Sequence, residues 1–316
     1  MRATKSRLGT VCAAAVLALS AIDCGRAPGD EPADGARPGA RAPDGFDTAA
    51  VDTLPGAPGV LDRESGTYRL SIPRDDLVVT VDGSPLAPGT DLEGRVTLVP
   101  VPGGAVLTAE LPMLVDEVNP VISAALLHNL AVTGLHTHFA RDEPRVWYLH
   151  LAGIGETDSL AAGVGAVLRT LEDVKGQPRE TPPVLDATTT LSPAAVDSVL
   201  RLRGQRRQGA YEFTLPRSTR FDGYDLDAAS GISTRVTFAG SDARARAGGR
   251  FAVTQAELQP VLRALRAGGI DIFSIDDPLA GEEPRLYFVH FQGRGRAIDL
   301  ARAVRDALDA LATSGG

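Results

Sequence analysis

Three of the five histidines, His136, His138 and His150, fall in residues 135–155, LHTHFARDEPRVWYLHLAGIG, beside the only tryptophan, Trp147. Neutral imidazole is a ligand for divalent transition metals, and it is the side chain that exchanges a proton near pH 7. A lone His-x-His pair on a half-buried strand more often packs and hydrogen-bonds. A third histidine at hairpin spacing puts a metal site or an acid–base site level with that reading. Zinc is the expected ion. Two nearby acids, Glu143 and Glu117, are candidate general bases acting on a metal-bound water.

The stretch reads as strand, tight turn, strand. Residues 131–139 are rich in branched or apolar side chains, Arg141-Asp142-Glu143-Pro144 punctuates, and residues 145–152 carry Val, Trp, Tyr and Leu. Alternation along a strand places His136 and His138 on one face. Pairing of 136 with 150 then sets His150 opposite His136 and Tyr148 opposite His138. A slip of one residue would turn His150 to the other face, so the three-ligand set depends on register.

The elements around this stretch occur twice. FDTAAVDTL (46–54) matches LSPAAVDSV (191–199), and GTYRLSIPR (66–74) matches GAYEFTLPR (209–217). EVNP (117–120) matches ELQP (257–260), and DEPRVWYLHLAGIG (142–155) matches EEPRLYFVHFQGRG (282–295). The last two pairs share one offset of 140 (257 − 117; 283 − 143). Each copy opens with a short helix capped at Asp47 or Ser192, with Pro193 at the favoured first position. Strands follow, with turns expected at Asp82-Gly83 and Pro102-Gly103-Gly104. Asp116 is expected to cap a helix running to about Asn129. A last helix carries a stripe of Leu160, Val164, Val167, Leu168 and Leu171, mirrored by Leu300, Val304, Ala307, Leu308 and Leu311. Hairpins without long crossovers imply an α+β fold of two tandem repeats, each a mainly antiparallel sheet with packed helices.

The offset separates the copies chemically. His150 maps to His290, but His136 maps to Asp276 and His138 to Pro278. The scaffold therefore folds without the pair in repeat 2, which favours a functional role for it in repeat 1. His150 and His290 recur, which suits a structural hydrogen bond equally well. Gly153-x-Gly155 before a helix, and the run of Arg201, Arg203, Arg206 and Arg207, are weak anion signals. A tight turn and a solvated face explain them.

Composition sets the compartment. The net charge of −8 and pI near 5.2 argue against a nucleic-acid partner. Residues 1–24 read as an export signal: Arg2, Lys5 and Arg7 precede an uncharged apolar run too short to span a bilayer comfortably. Cys12 lies within that run and Cys24 just after it, so Cys24 is the candidate site of lipidation. Asp23 stands where a lipoprotein signal wants a small residue. The rival is cleavage after Ala18-Leu19-Ser20, leaving Cys24 as a free thiol. Residues 25–45, rich in Gly, Pro, Ala and Asp, read as a disordered tether. Repeat 1 is then 46–173, a Pro-rich linker 174–190, and repeat 2 191–316. The chain carries no P-loop, no Gly-x-Ser-x-Gly and no cysteine zinc motif.

With these segments in view, the chain resembles the LppY/LpqO-like family of bacterial extracytoplasmic proteins. The resemblance rests on the AAVD opening, the Tyr-x-x-x-x-Pro-Arg strand, the VTVDG turn and EVNPVISAALLHNLAVTGLHTHFARDEPRVWYLHLAGIG, and it spans residues 46–311 in two copies. It implies an exported protein with its central block on His136, His138, Glu143 and His150, and it names no activity. The expected function is a module in the cell envelope binding a metal ion or small polar ligand, reaching the membrane only through a lipid anchor. A metal-dependent hydrolase and a structural envelope protein are the alternatives. If the anchor is present, mass spectrometry of the mature protein should find a diacylglyceryl group on Cys24; an N-terminus at Ala21 with a free thiol rejects it.

Overall fold

A computed structural model describes residues 51, 54, 59–62, 64–86, 92–177, 184 and 188–313. The expected signal, the tether, Cys24 and the Asp47 cap lie outside them. Alternation builds most strands of repeat 1. β1 (Val60–Leu61), β2 (Tyr68–Pro73), β5 (Glu93–Val101) and β6 (Gly104–Leu114) form an antiparallel meander. In β5 every second residue is buried. Asp82 and Gly83 both have positive φ, 52° and 77°, and make the two-residue turn between β3 (Thr80–Val81) and β4 (Ser84–Pro85). Next come α1 (Val115–Leu127), β7 (Ala131–His136), β8 (Asp142–Glu143), β9 (Val146–Gly155) and α2 (Thr157–Val174).

Repeat 2 opens on a helix and then follows the same order, with a single Arg220–Glu283 bridge in place of β8: α3 (Pro193–Leu200), β10 (Gln205–Arg207), β11 (Ala210–Pro216), β12 (Thr219–Phe221), β13 (Tyr224–Leu226), β14 (Ser233–Gly240), β15 (Ala245–Thr254), α4 (Gln255–Ala267), β16 (Asp271–Asp276), β17 (Leu286–Gly295) and α5 (Ala297–Thr313). All pairings are antiparallel, as an α+β repeat requires.

The copies share one sheet. Its order is β1-β2-β5-β6-β9-β7-β16-β17-β15-β14-β11-β10, so repeat 1 meets repeat 2 where β7 lies antiparallel to β16. The residues that pair there, Leu135 and Ile275, are themselves equivalent at offset 140, so a pseudo-two-fold axis passes between them. Both are buried, and one hydrophobic core runs under both copies from Val51 to Leu308. The helices cover that side of the sheet. Leu160, Val164, Val167, Leu168 and Leu171 are buried in it, as are Leu300, Val304, Ala307 and Leu308, while Leu311 packs at its margin. Gly153 is a packing glycine: a Cβ there would stand 2.8 Å from Leu160, and Gly293 meets Leu300 in the same way at 2.9 Å. The arginine run lies on the exposed β10 edge and the turn before it.

The seam is held by a reciprocal pair of side-chain amides. Asn119 on α1 accepts from the Ile272 N–H (2.8 Å) and donates to the Ile272 carbonyl (3.2 Å) on β16. Its counterpart Gln259 on α4 accepts from the Val132 N–H (3.1 Å) and donates to the Val132 carbonyl (2.7 Å) on β7. Each amide satisfies a backbone N–H and C=O that would otherwise be orphaned beside the core. Arg266 adds a bond to Ser123, and Arg263 one to the Leu126 carbonyl.

Two expectations change. Leu114, not Asp116, is the N-cap of α1; its N–H is taken by Glu117, whose carboxylate does the capping. The turn between the histidine strands is not tight, because Asp142 and Glu143 form β8 and pair with β3. Both Glu–Pro bonds in the two such connections, 143–144 and 283–284, are cis.

Among the described residues no helix is long and apolar enough to cross a membrane. Asn119→Ala should cost about 1–3 kcal/mol for each buried group it orphans on Ile272. Urea denaturation measures this, and an unchanged midpoint would show that the amide does not hold the seam.

Candidate metal site

The histidines sit on the face of the sheet away from the helices. Along β9, Leu149 and Leu151 point into the core, so Tyr148 and His150 point the other way. The register differs from the expected one by two residues. His136 pairs with Tyr148 and Gly134 with His150, and the ladder shifts between Val132 and Gly134. Thr133 is the extra residue of a β-bulge, which lets Val132 and Leu135 both reach the core despite their odd spacing. A two-residue shift preserves parity, so His136 and His150 remain on one face. His138 is not on the strand at all; it follows the end of β7 in the loop toward β8.

The three imidazoles nevertheless converge. One nitrogen from each of His136, His138 and His150 lies within 4.8 Å of the others. The His136 and His150 rings stack at 4.8 Å and 15°, and His136 and His138 are 5.4 Å apart. His138 lies flat on Tyr148, centroids 3.4 Å apart. Tetrahedral ligation at Zn–N of about 2.0–2.1 Å needs nitrogens about 3.3–3.4 Å apart, inside the 4.8 Å within which the three now lie.

Two further observations fit a cation. His150 Nε2 is shielded from solvent and has no hydrogen-bond partner. Its nearest charged group is Glu110 Oε2 at 3.7 Å, across the β6–β9 pair. Burial, and then the neighbouring imidazoles, hold the His136 pKa below its ordinary value of 6.5, against a weaker pull from Glu110. Burial also lowers that of His150, with Glu110 opposing and His138 adding. Both are therefore ready as neutral ligands at neutral pH. His150 faces Glu110 across the β6–β9 pair and not a helix.

Glu110 escaped the sequence reading because β6 precedes the hairpin by a whole helix, and only the fold pairs it with β9. A signal did exist: at offset 140 its counterpart is Arg250, a charge reversal within the repeat.

The two acids proposed as general bases lie elsewhere. Glu117 is buried and receives both Arg74 Nη atoms at 2.9 Å, as well as the Leu114 N–H at 2.8 Å. Arg74 also donates to Asp76 and to the Pro112 carbonyl, its side chain wholly buried. Arg217 and Glu257 form the same pair in repeat 2. Glu117 is thus a structural anion committed on both oxygens. Glu143 is exposed on β8 and is not among the side chains whose ligand atoms converge.

The equivalent spot in repeat 2 is different. Asp276 Oδ1 accepts from Ser274 Oγ at 2.9 Å and lies 3.9 Å from His290 Nε2. Arg250 reaches over the Phe288 ring, 4.3 Å from its centroid.

The chain belongs to the family described as a Domain of Unknown Function (DUF1259), whose model matches residues 49–170 and again 194–310. Curated proteins give no match. Among solved structures, a trimeric bacterial microcompartment shell protein, PduB, is 13% identical over 80% of this chain and 91% of that one. Its TM-score of 0.20 is too low to bear on fold or function.

Glu117→Gln should leave the buried Arg74 with only the part-exposed Asp76 as counter-charge and cost up to about 3–5 kcal/mol without altering zinc affinity. Urea denaturation beside a zinc titration separates the two readouts; lost affinity in a folded variant would return Glu117 to the site.

Proposed function

We propose that repeat 1 binds a divalent transition-metal ion, zinc foremost, through His136, His138 and His150. The carrying observation is the convergence of their three ligand atoms. The unpartnered His150 nitrogen and the depressed pKa values of two of the imidazoles support it. So does repeat 2, where the same backbone exists without the His-x-His pair. In this reading the protein is an LppY/LpqO-like module of the bacterial cell envelope, exported and held to the membrane by lipid on Cys24. It presents the ion on an open sheet face to a small ligand.

Three protein nitrogens leave a coordination position for water or ligand, which keeps the hydrolase alternative available. Its base would be Glu110, the carboxylate beside the site, since Glu117 is committed to Arg74.

His136→Ala and His138→Ala should each abolish zinc binding and the rise in melting temperature that zinc confers. Neither should change the zinc-free protein by more than about 0.5 kcal/mol. Asp276→Ala and Pro278→Ala should bind zinc as wild type does. Comparing His150→Ala with His290→Ala measures how much of that position is scaffold. Affinity should fall as acid protonates the imidazoles. Because burial lowers the pKa of His136 and His150, binding should persist somewhat below 6.5, the value of free imidazole. Thermal melts and calorimetry test the set, and equal zinc stabilisation of wild type and His136→Ala would end the case.

A further inference from the structure

The seam places repeat 2 directly beside the candidate ion. Leu135 and Ile275 pair and face the core, so their neighbours His136 and Ser274 adjoin on the open face, as do Gly134 and Asp276. From His136 the pairings continue through Ser274 and His290 to Arg250 and Arg235. In repeat 1 the matching cross-strand pair is Arg95 with Glu110, opposite charges. In repeat 2 it is Arg235 with Arg250, like charges directly opposed, which costs stability unless an anion offsets it. The protein supplies only partial relief. Arg235 Nε is 4.0 Å from Glu212, and Asp276 draws on Arg250 at longer range.

Arg250 is held in place. Its Nε and Nη2 donate to the carbonyls of Ser233 and Gly231, and its guanidinium lies over Phe288. Phe288 is the counterpart of Tyr148, the ring on which His138 stacks. The guanidinium therefore stands over its ring as His138, a ligand of the candidate ion, stands over Tyr148. The open face thus carries a candidate ion site in one copy and a fixed arginine in the other, on either side of the pseudo-two-fold axis.

We propose that the repeat 1 ion and the repeat 2 Arg250 form one composite site for an elongated dianion with an oxyanion at each end. This rests on the ion-binding reading above. One oxyanion fills the open coordination position, and the guanidinium takes the other, its fork suiting carboxylate or phosphate. The ion lies between β9 and β7 and Arg250 stands on β15, so the centres are three to four strand spacings apart, roughly 14–19 Å. Between them lie Ser274, His290 and Asp276, whose carboxylate disfavours a third negative charge. The ligand's middle is therefore uncharged and polar.

The test uses the full chain loaded with zinc and a series of α,ω-dicarboxylates from malonate through adipate and suberate to sebacate, followed by calorimetry. Affinity should rise with length and pass through a maximum once the acid spans both centres. Arg250→Met keeps a stem over Phe288 without the charge. It should lower the affinity of the best acid about tenfold or more while leaving malonate and zinc affinities unchanged. Arg250→Lys, which keeps the charge but not the fork, should fall between; it carries the comparison if the Met variant does not fold. Long α,ω-bisphosphonates run in parallel distinguish phosphate from carboxylate ends. A flat series in wild type, or an undiminished long acid in Arg250→Met, overturns the composite site even with zinc bound. Failure of wild type to bind zinc overturns the ion reading first and this inference with it.

Discussion

An unpaired strand edge is the constraint on which this structure turns. β7 in one copy and β16 in the other each close their repeat on one side only. Exposed edges of that kind invite aggregation. Here each covers the other, so the two sheets become one and the two cores become one. The bulges at Thr133 and Phe273 interrupt regular pairing close to the seam. Asn119 and Gln259 compensate by offering primary amides where a neighbouring peptide would stand. The reciprocity follows from the duplication: whatever α1 does for β16, α4 does for β7.

That arrangement decides where chemistry can occur. The helix side is filled by side chains, and the ionisable groups near it are neutralised in place. The Arg74–Glu117 and Arg217–Glu257 pairs show this, each carboxylate also capping its helix. A charge buried this way is costly to break and therefore unsuited to exchanging protons with a ligand. The opposite face is only partly covered. The β3–β4 hairpin packs over Val146 and Tyr148, and apolar residues around Leu226 pack against Phe288. The strip along the seam remains accessible, and the histidines stand there.

Duplication also explains how one site can be polar and asymmetric on a symmetric frame. Once the seam and core are secured by residues present in both copies, the open-face positions are free to differ. Repeat 1 has Glu110, His136 and His138 there; repeat 2 has Arg250, Asp276 and Pro278. Each exchange changes charge or ligand character and leaves the backbone path alone.

The primary structure by itself determined the local and the repeated. The alternating strands, the Asp82-Gly83 turn and the apolar helix stripes are short-range patterns, the offset of 140 is a repeat, and each reappears in the fold. It also singled out the three histidines: parity along the strands keeps His136 and His150 on one face despite the two-residue error in register, while His138 joins them from the loop after β7. Tertiary structure decided the rest, because the deciding contacts join residues far apart in the chain. The bulge at Thr133 is imposed by the need of Val132 and Leu135 to reach one core. Glu110 meets His150 only because β6 lies beside β9. Glu117 is removed from the chemistry by Arg74, 43 positions earlier. Repeat 2 reaches the site only because Leu135 pairs with Ile275. Periodicity specifies which way a side chain faces, but the partner it meets depends on long-range strand order and packing, which no local pattern encodes.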